Sequence, residues 1–338
     1  MKKTILIDTR SGGDWSLDLI FAGLVNRFGP ENVIDFPPKD KHREWTGAGD
    51  WGAERRSLGF TSRNRELRRW TIDEVRRELM DGNIERIFVD EREESFAVYA
   101  QTAAKFYHVP VVVVAGHDRF WNDSPRYVKG QYYREDLEAM FIDDWQDEYD
   151  PFPYAHLINL STNYDHLWDV SRRDVLLGDK TIDICFMGYN SHPSRAEFVD
   201  HILKRWGHLD NHLVLERRPN TVASFVSHGE YFETIARSKI CVNLMGASTC
   251  GRALRYYEIP YVGSLMLSQR FPARLLDPYL GEEHCFYFDT TEEFDALVER
   301  LLADDGFRER IARAGHEHAM KKHTVDARID YIYRVLDG

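Results

Sequence analysis

The chain has 338 residues, enough for two domains of about 150 residues each, and 43% hydrophobic residues with 22 Gly and 12 Pro mark ordinary globular material. Lys and Arg total 44 against 56 Asp and Glu, and the net charge of -12 argues against a nucleic-acid backbone as general partner. Cys185, Cys241, Cys250 and Cys285 lie far apart, which excludes a close-spaced zinc pair and a dense disulfide scaffold.

No apolar run approaches the length of a transmembrane segment, and Thr4 to Ile7 is too short for a secretory core, so the reading is a reduced, cytoplasmic protein. Thr4 to Ile7 is instead a buried strand that leads through Asp8, Gly12 and Gly13 into a helix over Trp15 to Phe28. A second strand, Asn32 to Phe36, stops at Pro37-Pro38. After a helix at Ile72 to Met80 come a strand at Arg86 to Asp90, a helix from Ser95 to Tyr107 and a strand at Pro110 to Ala115. This alternation predicts a parallel sheet covered on both faces, with ligands at the carboxyl ends of its strands.

Those ends carry Asp8 to Asp14, Asp90 to Glu94 and Gly116-His117-Asp118. Gly12-Gly13 is not the G-x-G-x-x-G of a dinucleotide site; it reads as a tight turn or as a place where substrate on the acceptor side passes close to backbone. Between the second and third strands, Arg55, Arg56, Arg63, Arg65, Arg68 and Arg69 form a basic cluster, read as solvated loop charge or as a dock for an anionic acceptor. Arg126 to Leu137 is mixed in character, the run from Glu138 to Asp150 is acidic, and an apolar stretch follows at Ala155 to Leu160. Asp143-Asp144 in that run reads as solvated charge rather than a metal site, and no metal is expected.

The domain boundary is expected near residue 170, giving domains 1–168 and 169–338. The second repeats the alternation: strands at Asp183 to Met187, His212 to Glu216, Ile240 to Leu244, Tyr261 to Leu267 and near Cys285 to Phe288, with helices at Arg195 to Trp206, Glu230 to Ala236 and Cys250 to Glu258. Helices at Thr291 to Ala303, Asp305 to Glu317 and His323 to Leu336 close the chain. Two Rossmann-like domains facing across a cleft is the expected α/β architecture. The best chemical stretch is GASTCGRALRYYE, Gly246 to Glu258. A small-residue loop there leaves a strand, Arg252 and Arg255 share a helix face and can grip a diphosphate, and Glu258 can accept hydrogen bonds from sugar hydroxyls. The absent lysine of a P-loop argues against a nucleotide triphosphatase.

From Tyr231 to Arg328 the chain resembles the carboxyl-terminal domain of GT-B glycosyltransferases, and more narrowly the CgeB-like branch of the family 1-like enzymes. The residues that carry the resemblance are Gly246, Arg255-Tyr256-Tyr257-Glu258, Gly263, His323-Thr324 and Arg328, extended by Phe186-Met187-Gly188 and Arg195. It implies a second domain that binds a nucleotide-diphosphate sugar, such as a UDP or GDP sugar, with no tightly bound cofactor and no metal. Glu258 would hold the ribose or the sugar. Retaining members of the class carry a second glutamate eight positions earlier, where this chain has Cys250; a thiol lacks the charge and paired oxygens, so the stereochemistry stays open. Related folds often return their last helix to the first domain, which would bring Tyr331 to Leu336 there.

Sugar transfer requires charge stabilisation on the leaving diphosphate and an activated acceptor hydroxyl. Gly188, Arg195, Arg217, Gly246, Arg252, Arg255 and Glu258 are the donor-binding candidates. Gly12 and Gly13 stand on the acceptor side, and His117, Asp118 and Asp14 are candidates for the catalytic base. The acceptor is open. Two other readings stay in play: a nonenzymatic sugar-nucleotide or polysaccharide-binding module, and a glycosyltransferase acting on a modified nucleic-acid base.

Overall fold

The computed structural model describes residues 2–9, 15–39, 67–91, 93–115, 137–142, 154–158, 180–190, 193–216, 228–245, 254–271 and 274–338. The chain divides into two compact units. One comprises Met1–His166, Arg274–Leu276 and Val325–Gly338; the other comprises Leu167–Ala273 and Asp277–Thr324.

The first unit is built on strands β1 (Lys3–Ile7), β2 (Val33–Phe36), β3 (Ile84–Asp90), β4 (Val111–Ala115), β5 (Leu137–Ile142) and β6 (Ala155–Leu157). They form one sheet in the order β2-β1-β3-β4-β5-β6, every pair parallel. Strand periodicity sorts the side chains: Ile5, Ile7, Ile34, Val89 and Val113 enter one core, while Leu6, Phe88, Val112 and Val114 enter the other. The helices are α1 (Trp15–Phe28), α2 (Ile72–Met80) and α3 (Glu93–Thr102). Helix α2 opens with a capping box, in which Thr71 Oγ1 accepts from Glu74 N at 3.3 Å and Glu74 Oε2 accepts from Thr71 N at 2.9 Å.

In this unit two details differ from the sequence expectation. The helix from Ser95 does not run to Tyr107: Thr102 Oγ1 donates to Tyr99 O at 2.7 Å and accepts from Ala104 N at 3.2 Å. That local bonding ends α3, and a 3-10 turn at Ala104–Tyr107 follows the left-handed Ala103. Strand β5 was hidden by its own charge, because Glu138 sits in it. Its carboxylate is neutralised by Arg86, whose Nε donates to Glu138 Oε2 at 2.9 Å.

The second unit holds β7 (Ile182–Tyr189), β8 (Asn211–Glu216), β9 (Ser238–Asn243), β10 (Leu265–Gln269) and β11 (Phe286–Phe288) in the parallel order β11-β10-β9-β7-β8. Its helices are α4 (Pro193–Trp206), α5 (His228–Ala236), α6 (Arg255–Tyr261), α7 (Thr291–Ala303) and α8 (Asp305–Lys322). Helix α6 is described only from Arg255, not Cys250, and it runs past Glu258. Gly263 stops it at φ 77, with Gly263 N donating to Pro260 O at 3.0 Å and Ser264 N to Ile259 O at 3.3 Å. The strand expected from Tyr261 therefore begins at Leu265. Lys180 Nζ donates to Ala236 O at 2.5 Å and to Gly263 O at 3.1 Å, tying the entry of β7 to the ends of α5 and α6.

The last helix, α9 (Val325–Leu336), belongs to the first unit and lies along α1. Asn26 Nδ2 donates to Asp326 Oδ1 at 3.0 Å, and Arg27 pairs with Asp330. A Cβ at Gly23 would come within 2.3 Å of Ile329 Cγ1, so the two helices approach at a glycine.

Candidate functional site

In the second unit the carboxyl end of β7 meets the start of α6. Arg255 is fixed there by one hydrogen bond, Nη1 to Met187 O at 3.0 Å, and by the Phe186 ring, whose centroid is 5.2 Å from Cζ. Its Nε and Nη2 are buried and have no hydrogen-bond partner among the described residues. A buried donor left unmade costs about 1–3 kcal/mol, and more when it is charged, so this guanidinium calls for an acceptor. Gly188 makes room for it: a Cβ there would come within 2.9 Å of Arg255 Nη1 and 3.2 Å of Phe186 Cζ.

Arg195, on the first turn of α4, is 4% exposed. Its Nε donates to Met245 O at 2.8 Å and its Nη2 to Leu244 O at 3.2 Å, which fixes the chain as it leaves β9. Burial, and then the charge of Arg255, push the Arg195 guanidinium down to about 9, which leaves it cationic at neutral pH. Two buried cations that repel one another are a natural seat for an anion. Glu258, one turn along α6 from Arg255, is 7% exposed and accepts from Tyr231 Oη at 2.8 Å. Burial, followed by the Glu258 charge, holds the Tyr231 phenol well above its ordinary value, so it acts as a donor.

The matching edge of the first unit has opposite chemistry. Asp35 lies in β2, while Asp8 and Asp90 stand at the carboxyl ends of β1 and β3; all three are buried, as is Glu91. The buried Lys39 pairs with Asp8 through Nζ, and its backbone N donates to Asp35 Oδ2 at 2.9 Å. Ser95 Oγ donates to Asp90 Oδ2 at 3.2 Å and lies 3.1 Å from Thr9 Oγ1.

Of the residues singled out in the sequence, the structure brings Gly188, Arg195, Arg255 and Glu258 into the second unit's edge. Gly12, Gly13, Asp14, His117, Asp118, Arg217, Gly246, Arg252 and Cys250 lie outside the described residues, as do Asp143-Asp144 and Arg55, Arg56, Arg63 and Arg65 of the basic cluster. Arg68 of that cluster pairs with Glu74 and stacks on Trp70. Among the described residues no group of three or more His, Cys, Asp or Glu could hold a metal ion, and no helix is long and apolar enough to cross a membrane.

Residues 191–334 match the family described as Glycosyl transferase-like. No curated protein matches the chain. Among solved structures, Anabaena HepE in complex with UDP-glucose aligns over 100% of both chains at 10% identity and TM-score 0.56. A glycosyltransferase from Rickettsia africae aligns over 99% of this chain and 98% of its own, at 10% identity and TM-score 0.53. Sucrose-phosphate synthase from Thermosynechococcus elongatus aligns over 99% of each, at 12% identity and TM-score 0.52. The fold is GT-B.

Within this GT-B chain two groups of residues escaped the sequence reading. Tyr231 reaches Glu258 from 27 positions away, a pairing no local spacing announces. Lys39 follows Pro37-Pro38 in what reads as loop, and the buried Asp8 that it pairs with accounts for an interior lysine. The signal that could have found it is the pair of aspartates: Asp8, directly after the apolar Ile5 to Ile7 of β1, and Asp35, inside the apolar β2. Cys185 and Cys241 are register neighbours on β7 and β9, both buried, and the Cys185 thiol is pushed up by its hydrogen bond with Cys241 and by burial. They pack as small apolar groups.

Proposed function

We propose that this chain is a glycosyltransferase that takes a sugar from a nucleotide-diphosphate donor bound at the carboxyl edge of the second sheet and passes it to a hydroxyl acceptor. The observation that carries this reading is the Arg255 guanidinium, with Nε and Nη2 buried and unpartnered among the described residues and a second cation, Arg195, close enough to feel its charge. A diphosphate supplies the missing oxygens. As the bond to the sugar breaks, negative charge grows on the departing phosphate, and fixed cations already in position lower the barrier without reorganising. In this scheme Arg255 contacts the diphosphate, Arg195 holds the loop that follows β9 and adds its charge, and Glu258 accepts from the ribose hydroxyls. The acceptor proton goes to His117, Asp118 or Asp14. Because two guanidiniums neutralise the diphosphate, transfer proceeds without a divalent ion.

UDP is the first probe, since Anabaena HepE, of the same fold, was crystallised with UDP-glucose. The test is calorimetric titration of UDP and GDP, followed by a panel of nucleotide sugars in which released nucleotide is measured without acceptor, with and without EDTA. The reading expects one nucleotide to bind, its sugar to be hydrolysed slowly, and EDTA to change neither. Binding without any hydrolysis across the panel would favour the nonenzymatic module; no binding at all would remove the donor site.

A further inference from the structure

Glu258 has three side-chain torsions, and the last of them, which turns the carboxylate plane, is intrinsically loose. A carboxylate that must meet two vicinal hydroxyls works only in the right plane, and fixing that plane beforehand spares the ligand the ordering cost. In this chain the fixing element comes from another helix. Tyr231, on α5, donates through Oη to Glu258 Oε2 at 2.8 Å, and Glu258 lies on α6. The phenol is itself held: its ring meets Phe232 edge-on, with centroids 4.8 Å apart at 85°, and Phe232 is 1% exposed.

From this geometry we propose that Tyr231 is a positioning residue for the donor site: its hydroxyl sets the plane in which Glu258 receives the ribose diol of the nucleotide. This rests on the reading of Glu258 as the ribose acceptor given above. Burial, and then the adjoining carboxylate, hold the phenol well above its ordinary value, so it is the donor at neutral pH. Helix α5 thereby gains a part in nucleotide recognition. A tyrosine that merely glued the two helices together would support every ligand of the site equally. A positioning tyrosine acts on the diol alone.

The experiment compares UDP with 2′,3′-dideoxy-UDP by calorimetry on the full chain. Wild type is expected to favour UDP by about tenfold or more, the scale of losing hydrogen bonds to a charged acceptor. Tyr231→Phe should weaken UDP by about three- to tenfold and leave the dideoxy nucleotide unchanged. Glu258→Gln should abolish the discrimination, and adding Tyr231→Phe to it should change nothing further, because the two act as one unit. Equal weakening of both nucleotides by Tyr231→Phe, full retention of discrimination, or loss of cooperative melting in that variant would each overturn the proposal and leave Tyr231 a packing residue. Discrimination that survives Glu258→Gln would instead overturn the ribose reading of Glu258, a separate result.

Discussion

The two sheets share a topology class, yet the carboxyl edges of their strands have opposite electrostatics. In the first unit the buried acids Asp8, Asp35, Asp90 and Glu91 lie in or at the ends of the strands, and the buried Lys39 pairs with Asp8; in the second, the buried charged groups described are Arg195, the Arg255 guanidinium and Glu258. The lysine meets its counter-charge within the protein. Arg255 leaves two buried donors unmatched among the described residues. Equivalent architecture therefore serves two tasks: the first edge holds its lysine in an internal ion pair, a stability element, whereas the second keeps buried donors that the proposed nucleotide would satisfy.

The strongest way to break this contrast is at Lys39. Lys39→Met removes the cation that Asp8 pairs with in a buried setting, and breaking a buried pair costs about 3–5 kcal/mol. Denaturant or thermal melting should register that loss in full, while the UDP affinity of the remaining folded protein stays at the wild-type value. Arg255→Ala should give the reverse pattern: UDP affinity falls by about 1.5–3 kcal/mol, the size of one charge-assisted contact, with little change in melting temperature. A variant that melts early and binds normally would place Arg255 with Lys39 as a stability element.

Gly188→Ala sharpens the comparison by moving the guanidinium without removing it. The added methyl meets Arg255 Nη1 at 2.9 Å, and the expected strain is at the lower end of the about 1–3 kcal/mol typical of overpacking. Calorimetry should find a several-fold loss of UDP affinity, smaller than for Arg255→Ala. The smallest effect concerns a charge the second unit avoids altogether. Leu280 N donates to His284 Nδ1 at 3.1 Å, which requires a neutral ring, and burial, then the neighbouring His318, hold the His284 pKa below its ordinary value. The folded form thus binds fewer protons than the unfolded one just below pH 6.5. Stability from this group is complete above about pH 6.5 and is lost as pH falls through the lower folded-state value. Melting temperature between pH 7.5 and 5.5 should drop more steeply for wild type than for His284→Gln.

Much of the fold was legible because parallel strands buried on both faces advertise themselves as short apolar runs. Val111–Ala115 and Ile240 to Asn243 needed no partner to be recognised. Trp15–Phe28, Ile72–Met80 and Thr291–Ala303 were readable from helical periodicity and their end signals. Leu137–Ile142 was not, since Glu138 interrupts the run and only Arg86, 52 positions away, compensates it. At the candidate site the same division holds. Arg255 and Glu258 share one helix and their spacing could be read, but Gly188 makes sense only beside the Arg255 guanidinium, and Tyr231 only beside Glu258. Side chains that work through a distant neighbour leave no periodic trace.

The return of α9 to α1 has a consequence for biosynthesis. Ile329, Ile332 and Tyr333 complete the core that Leu6, Phe21 and Phe88 begin, so the first unit cannot finish until α9 has been synthesised. The second unit, whose residues all precede Val325, can close its own sheet earlier. Folding order is thereby reversed relative to synthesis order. During translation the nascent amino-terminal sheet carries an open apolar stripe along α1, with Gly23 at its centre, waiting for a helix encoded some 300 residues later. A ribosome stalled just before Val325 would hold a chain whose second unit is complete in sequence and whose first unit still lacks one of its covering helices.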